Sequence, residues 1–398
     1  MLLWCVHLIK IGANLAAKFN HFPAGPRMMH DFAASHSHSI LLDLPLSLDP
    51  INLLRGVPIV ALNSAAPARF GVLPRHAPEQ VRWYTAPSCV IFHTALAFNT
   101  LDEGTGIENV HLICCRLNSS RLVYAAGNLA LPASQALPAG VEDTCRLHYY
   151  AFALTERTGH GGSSATNLTP SHSFPLASIP FEFPTVPHAT SMTNAQYVYG
   201  CSMRQGSFTT ALGSAAKIDC LVKVDVQHLL AQGRQQGNRE DEAVDRRSVA
   251  QLLDEQEARG GAEGALQVFA FPKGRFGQEC SFIPRHSMRG EDDGYLLTYV
   301  FDEAQLDPLT GEPHTDAVSE LWAIDAWTMQ DVVCRVILPQ RVPYGLHGNW
   351  FTAAQVDGQR EVKAVRIRPK EGAQEDGCKK LPAVWWKKGC RAVLEMLT

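Results

Sequence analysis

The chain has 398 residues, 46% of them hydrophobic, enough apolar material for one large core or two smaller ones. A formal net charge of -4 leaves no basic field of the kind that neutralises nucleic-acid phosphates, so nucleic acid is not an expected partner. The 11 cysteines are odd in number and show no CxxC spacing, which argues against a disulfide framework or a zinc ribbon and for free thiols in a reducing cytoplasm.

The opening MLLWCVHLIKIGANLAAKF reads as two core strands. His7 and Lys10 interrupt it well short of the roughly 20 apolar residues a spanning helix needs, and its basic residue follows the apolar run, unlike a secretory leader. Next comes MMHDFAASHSHSILLDLPLSLDP, with His30, His36 and His38 close together. Strand period two would put all three on one face, but the ASHSHS composition reads as a turn and sends His36 and His38 to the surface. Short apolar runs then follow one another: VRWYTAPSCVIFHTALAF, ENVHLICCRL, RLVYAAGNLAL, CRLHYYAFAL, AQYVYGCSM and KIDCLVKVDV. Their β-branched and aromatic content predicts strands and an all-β architecture. Residues 233–264 are highly charged and read as a solvated insertion with one short amphipathic helix over 245–258. Residues 295–339 predict three consecutive antiparallel strands, GYLLTYVFDE, ELWAIDA and VVCRVILP, the pattern of a propeller blade, with a sandwich or barrel as alternatives. Residues 352–398 change character and read as a disordered or weakly packed extension.

Three histidines sit in or at the end of apolar strands: His30 in MMHDF, His93 in VIFHTALAF and His347 in RVPYGLHGNWF. A buried imidazole needs a partner, so each reads either as a core histidine bonded to backbone or as a metal ligand. Separations of 63 residues (30 to 93) and 254 residues (93 to 347) offer no local spacing such as HExxH. Glu182, between Phe181 and Phe183, is either an edge-strand carboxylate facing water or a buried group that requires a partner. Asp31 adjoins His30, but strand alternation would send it to the other face, which leaves a zinc hydrolase without a general base.

The blocks around these residues occur in a specific order: MMHDF, IFHTALAF, FEFPTVP followed by YVYGCS, QECSFIPR with EDDGYLLTYVFDE, and LPQRVPYGLHGNWF. Together they resemble the carotenoid cleavage oxygenase family, which includes apocarotenoid and stilbene oxygenases and the retinal-pigment-epithelium isomerase. The runs LLDLPLSLDP and ARFGVLPRH look most like fungal members, and the resemblance covers residues 28–351. It implies a seven-bladed β-propeller with a loop and helix cap, holding Fe(II) on four histidines from different blades. The implied reaction splits a C=C bond of a carotenoid or apocarotenoid with O2 into two carbonyl products. By position, His30, His93 and His347 match the second, third and fourth iron histidines. Glu182 and Glu279 match glutamates that accept the other ring N–H of a ligand histidine. The implied partners are O2 and a lipophilic polyene, which leaves peripheral contact with membranes or lipid bodies open.

The sequence also departs from that pattern. Only 29 residues precede His30, and His7 and His21 within them lack the family's surrounding motif. The expectation is therefore a propeller over 1–351 that is incomplete at its N-terminus, lacking its first blades and first iron histidine, with an extension over 352–398. Leu96 and Asn99 stand where the family carries an asparagine and an acidic residue, and Gln278 and Cys280 flank Glu279. A second reading follows: a catalytically impaired or inactive family member that serves at most as a binding module for an apolar ligand.

Overall fold

Alternating apolar runs separated by turn residues pair with their neighbours in sequence, and strands of this kind build most of the protein. The structure, a computed structural model, describes residues 27–359 except 56–57, 127–128, 155–167, 209–216, 238–239 and 346. The two strands expected in the opening run, together with His7 and His21, lie outside the described residues, as does most of the 352–398 extension.

The first sheet contains β1 (Ala33–Ala34) and β2 (His38–Asp43). A small hairpin of β3 (Leu46–Leu48) and β4 (Val60–Leu62) interrupts it before β5 (Ala68–Pro74) and β6 (Arg82–Ala86) complete the order β1-β2-β5-β6. The second sheet runs β7 (Val90–Leu101), β8 (Glu108–Leu117), β9 (Cys145–Ala153) and β10 (His172–Pro175). The third runs β11 (Glu182–Thr185), β12 (Tyr197–Ser202), β13 (Cys220–Asp225) and β14 (Leu266–Ala270). The fourth holds β15 (Arg275–Phe276), β16 (Ser281–Pro284), β17 (Gly294–Asp302), β18 (Glu320–Asp325) and β19 (Val332–Ile337). Every pairing between these strands is antiparallel. None of the four sheets closes on itself among the described residues.

The nearly continuous apolar run of β8 has a packing reason: both of its faces are buried. Val110, Leu112 and Cys114 enter a core shared with Ile40, Phe70, Tyr84 and Phe152 of the first two sheets. Ile113, Cys115 and Leu117 face the larger core, which extends through Phe181 and Tyr199 to Trp322 in the fourth sheet. Full burial of one such side chain contributes about 1.5–3 kcal/mol. The second sheet is thus held on both sides, and His93 is mounted on it.

Three expectations are corrected. RLVYAA forms a helix, α1 (Arg121–Ala126), not a strand. A short apolar run does not reveal its own period, and good helix formers such as Arg, Leu and Ala tip this one to helix, with Leu122 and Tyr124 buried. The charged insertion carries one helix and part of another, α2 (Val226–Gln236) and α3 (Val249–Arg259). Asp225 caps α2 by accepting the His228 N–H, and Ser248 with Gln251 forms a capping box that sets the start of α3 later than hydrophobic spacing suggests. Gly237 and Gly260 end these helices in the left-handed region, at φ 62° and 72°. Buried Leu229, Leu230, Val249 and Leu252 tie both helices to the core, so the insertion is not merely solvated. His36 is exposed as expected, whereas His38 opens β2 and is buried, its Nδ1 near Ser37 Oγ at 2.9 Å and Asn99 Nδ2 at 3.2 Å.

The chain divides into two units, Met1–Trp350 and Phe351–Thr398. The described part of the second is a short helix, α4 (Ala353–Asp357), capped by Thr352 and Gln355.

Candidate metal centre

Three histidines far apart in sequence converge. One ring nitrogen from each of His30, His93 and His347 lies within 4.8 Å of the others. Their rings stand 5.1 Å (His30 to His93), 5.0 Å (His93 to His347) and 6.3 Å (His30 to His347) apart, the first two pairs nearly perpendicular.

In each ring Nδ1 is already engaged. His30 Nδ1 lies 3.1 Å from the Phe92 carbonyl oxygen, His93 Nδ1 lies 2.6 Å from Glu182 Oε2, and His347 Nδ1 lies 3.1 Å from Glu279 Oε2. Carbonyls and carboxylates only accept, so each Nδ1 carries the proton and each Nε2 is left with its lone pair. Three such nitrogens suit a divalent first-row metal. Nε2 of His93 is buried and has no hydrogen-bond partner among the described residues, a costly state for an apolar site and a natural one for a metal ligand. The residues present therefore fit a metal ion.

Local backbone irregularity aims these side chains. Between Ile91 and Leu96 the β7–β8 register slips twice: Ile91 faces Arg116, Thr94 faces Cys114 and Leu96 faces Ile113. The two extra residues on β7 flank Thr94, the first slip containing His93, and free the His93 side chain from simple alternation. A third bulge lies in β11, where Glu182 faces Cys201 but Thr185 faces Tyr199. There Phe183 adopts φ 54°, a strained value for a non-glycine residue. The strain has a return: the Phe183 N–H donates to Glu182 Oε2 at 2.9 Å, and the Phe183 ring lies 5.3 Å from His93 and 5.9 Å from His347. Glu182 is only 1% exposed.

Burial alone would pull the His93 pKa down. The Glu182 carboxylate and its hydrogen bond, with Asp31 and Glu279 farther off, outweigh burial and raise it. A field that favours a proton on the free nitrogen favours a metal cation at the same lone pair. For His30, burial and the neighbouring His93 lower the pKa and keep the ring neutral.

Gly200 on β12, adjacent to the Cys201 that faces Glu182, leaves room for this arrangement. A Cβ there would overlap the Phe181 ring and stand 3.0 Å from the Glu182 carbonyl oxygen. Gly200→Ala is expected to destabilise the fold by about 1–3 kcal/mol, an overpacking cost measurable by urea unfolding. An unchanged midpoint would show that the Phe181–Glu182 segment can yield.

His347 lies in the irregular segment after β19. Glu279 Oε2 holds it from two sides, accepting from its ring and from the Gly348 N–H at 3.0 Å. Gln278 anchors the same segment by donating to the Pro343 carbonyl at 3.0 Å, while its own backbone exchanges hydrogen bonds with Thr298 Oγ1 at 3.1 and 2.9 Å. Leu96 packs in the core, and Asn99 donates to Glu108 Oε1 at 2.8 Å and so does not serve His93. The polar support of His93 comes instead from Glu182 and, through Thr94, from Asp31. Strand alternation predicts Asp31 on the opposite face, but residues 28–32 are not strand, and its carboxylate turns back onto β7. His30 and His347 are exposed, which leaves one side of the centre accessible.

The all-β meander and this histidine centre define a class, and comparison with known proteins names it. The family model described as retinal pigment epithelial membrane protein matches residues 7–352. The chain belongs to that family, the carotenoid cleavage oxygenases. It is 42% identical over 387 residues to carotenoid dioxygenase carX of Gibberella fujikuroi, covering 86% of this chain and 53% of that protein. It is 30% identical over 341 residues to the carotenoid 9,10(9',10')-cleavage dioxygenase of Crocus sativus, covering 84% and 50%. The chain thus spans about half the length of the curated relatives it matches. Among solved structures it resembles the lignostilbene dioxygenase of Pseudomonas brassicacearum, with a TM-score of 0.56 at 20% identity over 82% of this chain and 55% of the other. It also resembles the Synechocystis apocarotenoid oxygenase, with a TM-score of 0.54 at 19% identity, covering 82% and 53%. At these identities the likeness is one of fold.

Proposed function

We propose that the chain is a non-haem Fe(II)-dependent dioxygenase that cleaves a C=C bond of a carotenoid or apocarotenoid, with His30, His93 and His347 as iron ligands. The observation that carries this reading is the convergence of three imidazoles, each with its proton held on Nδ1 by a protein acceptor. Both oxygen atoms of O2 balance the reaction, one in each of the two carbonyl products. Bound iron would supply the activation of O2 that no side chain offers.

The remaining work falls to the protein. Glu182 and Glu279 fix the tautomer and direction of His93 and His347, and Phe92 does so for His30 through its backbone. Buried Phe92 and the Phe183 ring exclude water from the inner side. A lipophilic polyene and O2 would approach from the exposed side of His30 and His347.

In this reading the four consecutive meanders are blades of a seven-bladed propeller, capped by loops and helices, with residues 1–351 as the propeller domain and 352–398 as an extension. Cytoplasmic residence suits the free cysteines, seven of them buried among the described residues. No described helix is long and apolar enough to cross a membrane, and peripheral membrane contact belongs to the same proposal. The deciding experiment is the iron content of the purified chain beside His347→Ala. Stoichiometric iron that is lost in the variant is the expected result. A folded wild-type chain that takes up no Fe(II) would overturn the reading and favour a binding module for an apolar ligand.

A further inference from the structure

Asp31 makes contacts that its place in the sequence does not suggest. Its Oδ2 accepts two hydrogen bonds from one residue, from the Thr94 N–H at 2.8 Å and from the Thr94 hydroxyl at 2.7 Å. Its Oδ1 accepts the Phe32 N–H at 2.7 Å, which fixes the carboxylate's own orientation. Thr94 follows His93 directly and sits between the two register slips of β7. Immediately before His93, the Phe92 carbonyl receives the His30 ring N–H at 3.1 Å. The consecutive pair His30 and Asp31 therefore grips the residues on either side of His93, one through a ring and one through a carboxylate.

We infer that Asp31 is a positioning residue that locks the bulge at Thr94 and so sets His93 and His30 relative to each other. The reason is mechanical as well as electrostatic. A bulge removes backbone groups from the regular ladder, and a bulged strand bends unless something else holds it. A carboxylate with three accepted hydrogen bonds is a strong clamp, because charge-assisted bonds are shorter and stronger than neutral ones. The clamp is built from the segment that carries His30, so displacing it moves both histidines and not one alone. The consequence for metal binding rests on reading the three-histidine centre as a metal site; the consequence for ring geometry does not.

The test uses the full chain with Asp31→Ala, Asp31→Asn and Thr94→Val, and two readouts. The first is the histidine ring 15N–1H spectrum of the metal-free protein, and the second is a Co(II) titration followed by visible absorption. Asp31→Ala is expected to shift the ring resonances of His93 and His30 and to weaken Co(II) about tenfold or more. Thr94→Val keeps the backbone donor and should show a smaller change in the same direction. Asp31→Asn keeps one acceptor oxygen but loses the charge and sets an amide donor against the remaining N–H, so it should fall between Asp31→Ala and wild type. Unchanged ring resonances with Co(II) affinity within about twofold of wild type, in a folded Asp31→Ala protein, would overturn the inference. If Asp31→Ala does not fold, a Thr94→Val protein with wild-type rings and affinity overturns it equally. A wild-type chain that binds no Co(II) refutes the metal reading, while the ring resonances still decide the role of Asp31.

Discussion

Replacing Glu182 by leucine is expected to weaken Fe(II) or Co(II) binding about 10- to 100-fold, the usual effect of losing the acceptor behind a ligand histidine. Glu182 Oε2 takes both the His93 ring proton and the Phe183 N–H, so leucine strands two donors in a site where the carboxylate was 1% exposed. Each stranded donor costs about 1–3 kcal/mol, so lower stability should accompany lower affinity. Once its Nδ1 partner is gone, the His93 ring is free to rotate or change tautomer, and its Nε2 lone pair no longer points steadily at the other two. Glu182→Gln retains one accepting oxygen and should fall between wild type and leucine. Titration of folded protein decides the matter, since a leucine variant with wild-type affinity would mean that packing by Phe183 alone orients His93.

The second large effect is acid destabilisation through His111 in β8. It is 3% exposed, stacked on Phe98 at 4.6 Å, with Nδ1 2.8 Å from the Tyr149 hydroxyl and Nε2 2.7 Å from Thr100 Oγ1. Arg234 donates to the Tyr149 oxygen at 2.6 Å, which directs the tyrosine proton to His111 Nδ1 and leaves the ring proton on Nε2. A second ring proton would meet the tyrosine proton head on. Burial, then the charges of Arg234 and His172, push the His111 pKa down to about 3. In the unfolded chain the ring titrates near 6.5. The unfolded state therefore binds the extra proton first, and the stability contributed by neutral His111 is complete above 6.5 and is lost as pH falls toward 3. By about pH 5 the loss from this one residue is about 2 kcal/mol. Buried His148, lowered by desolvation and Arg116, adds to it in the same direction. Urea unfolding at about pH 7 and about pH 5 should show a smaller pH dependence in His111→Gln than in wild type. Equal losses in the two proteins would place the acid sensitivity elsewhere.

The strands were legible because a strand writes its period and composition locally. ENVHLICCRL is β8, and GYLLTYVFDE, ELWAIDA and VVCRVILP mark β17 to β19. The misread elements are those whose identity is decided by neighbours. RLVYAA has no period of its own, and α2 begins where Asp225 ends a strand and caps a helix at once. His38 lies in a turn-like run yet is buried, because β5 pairs with the whole of β2, from His38 opposite Pro74 to Asp43 opposite Arg69.

The site shows the same division. The sequence by itself determined an all-β chain, a set of ordered motif blocks, and the histidines and glutamates worth testing. Only the tertiary structure decided that His30, His93 and His347 meet, that their Nδ1 atoms are spoken for, and that Asp31 turns toward Thr94. The reason lies in how such a centre is made. Its members stand 63 and 254 residues apart, His93 on a strand and His30 and His347 on irregular segments that fold back beside it, and the bulges at Thr94 and Phe183 that aim them are breaks in alternation. A local pattern predicts alternation, and only the partner strands reveal where it fails.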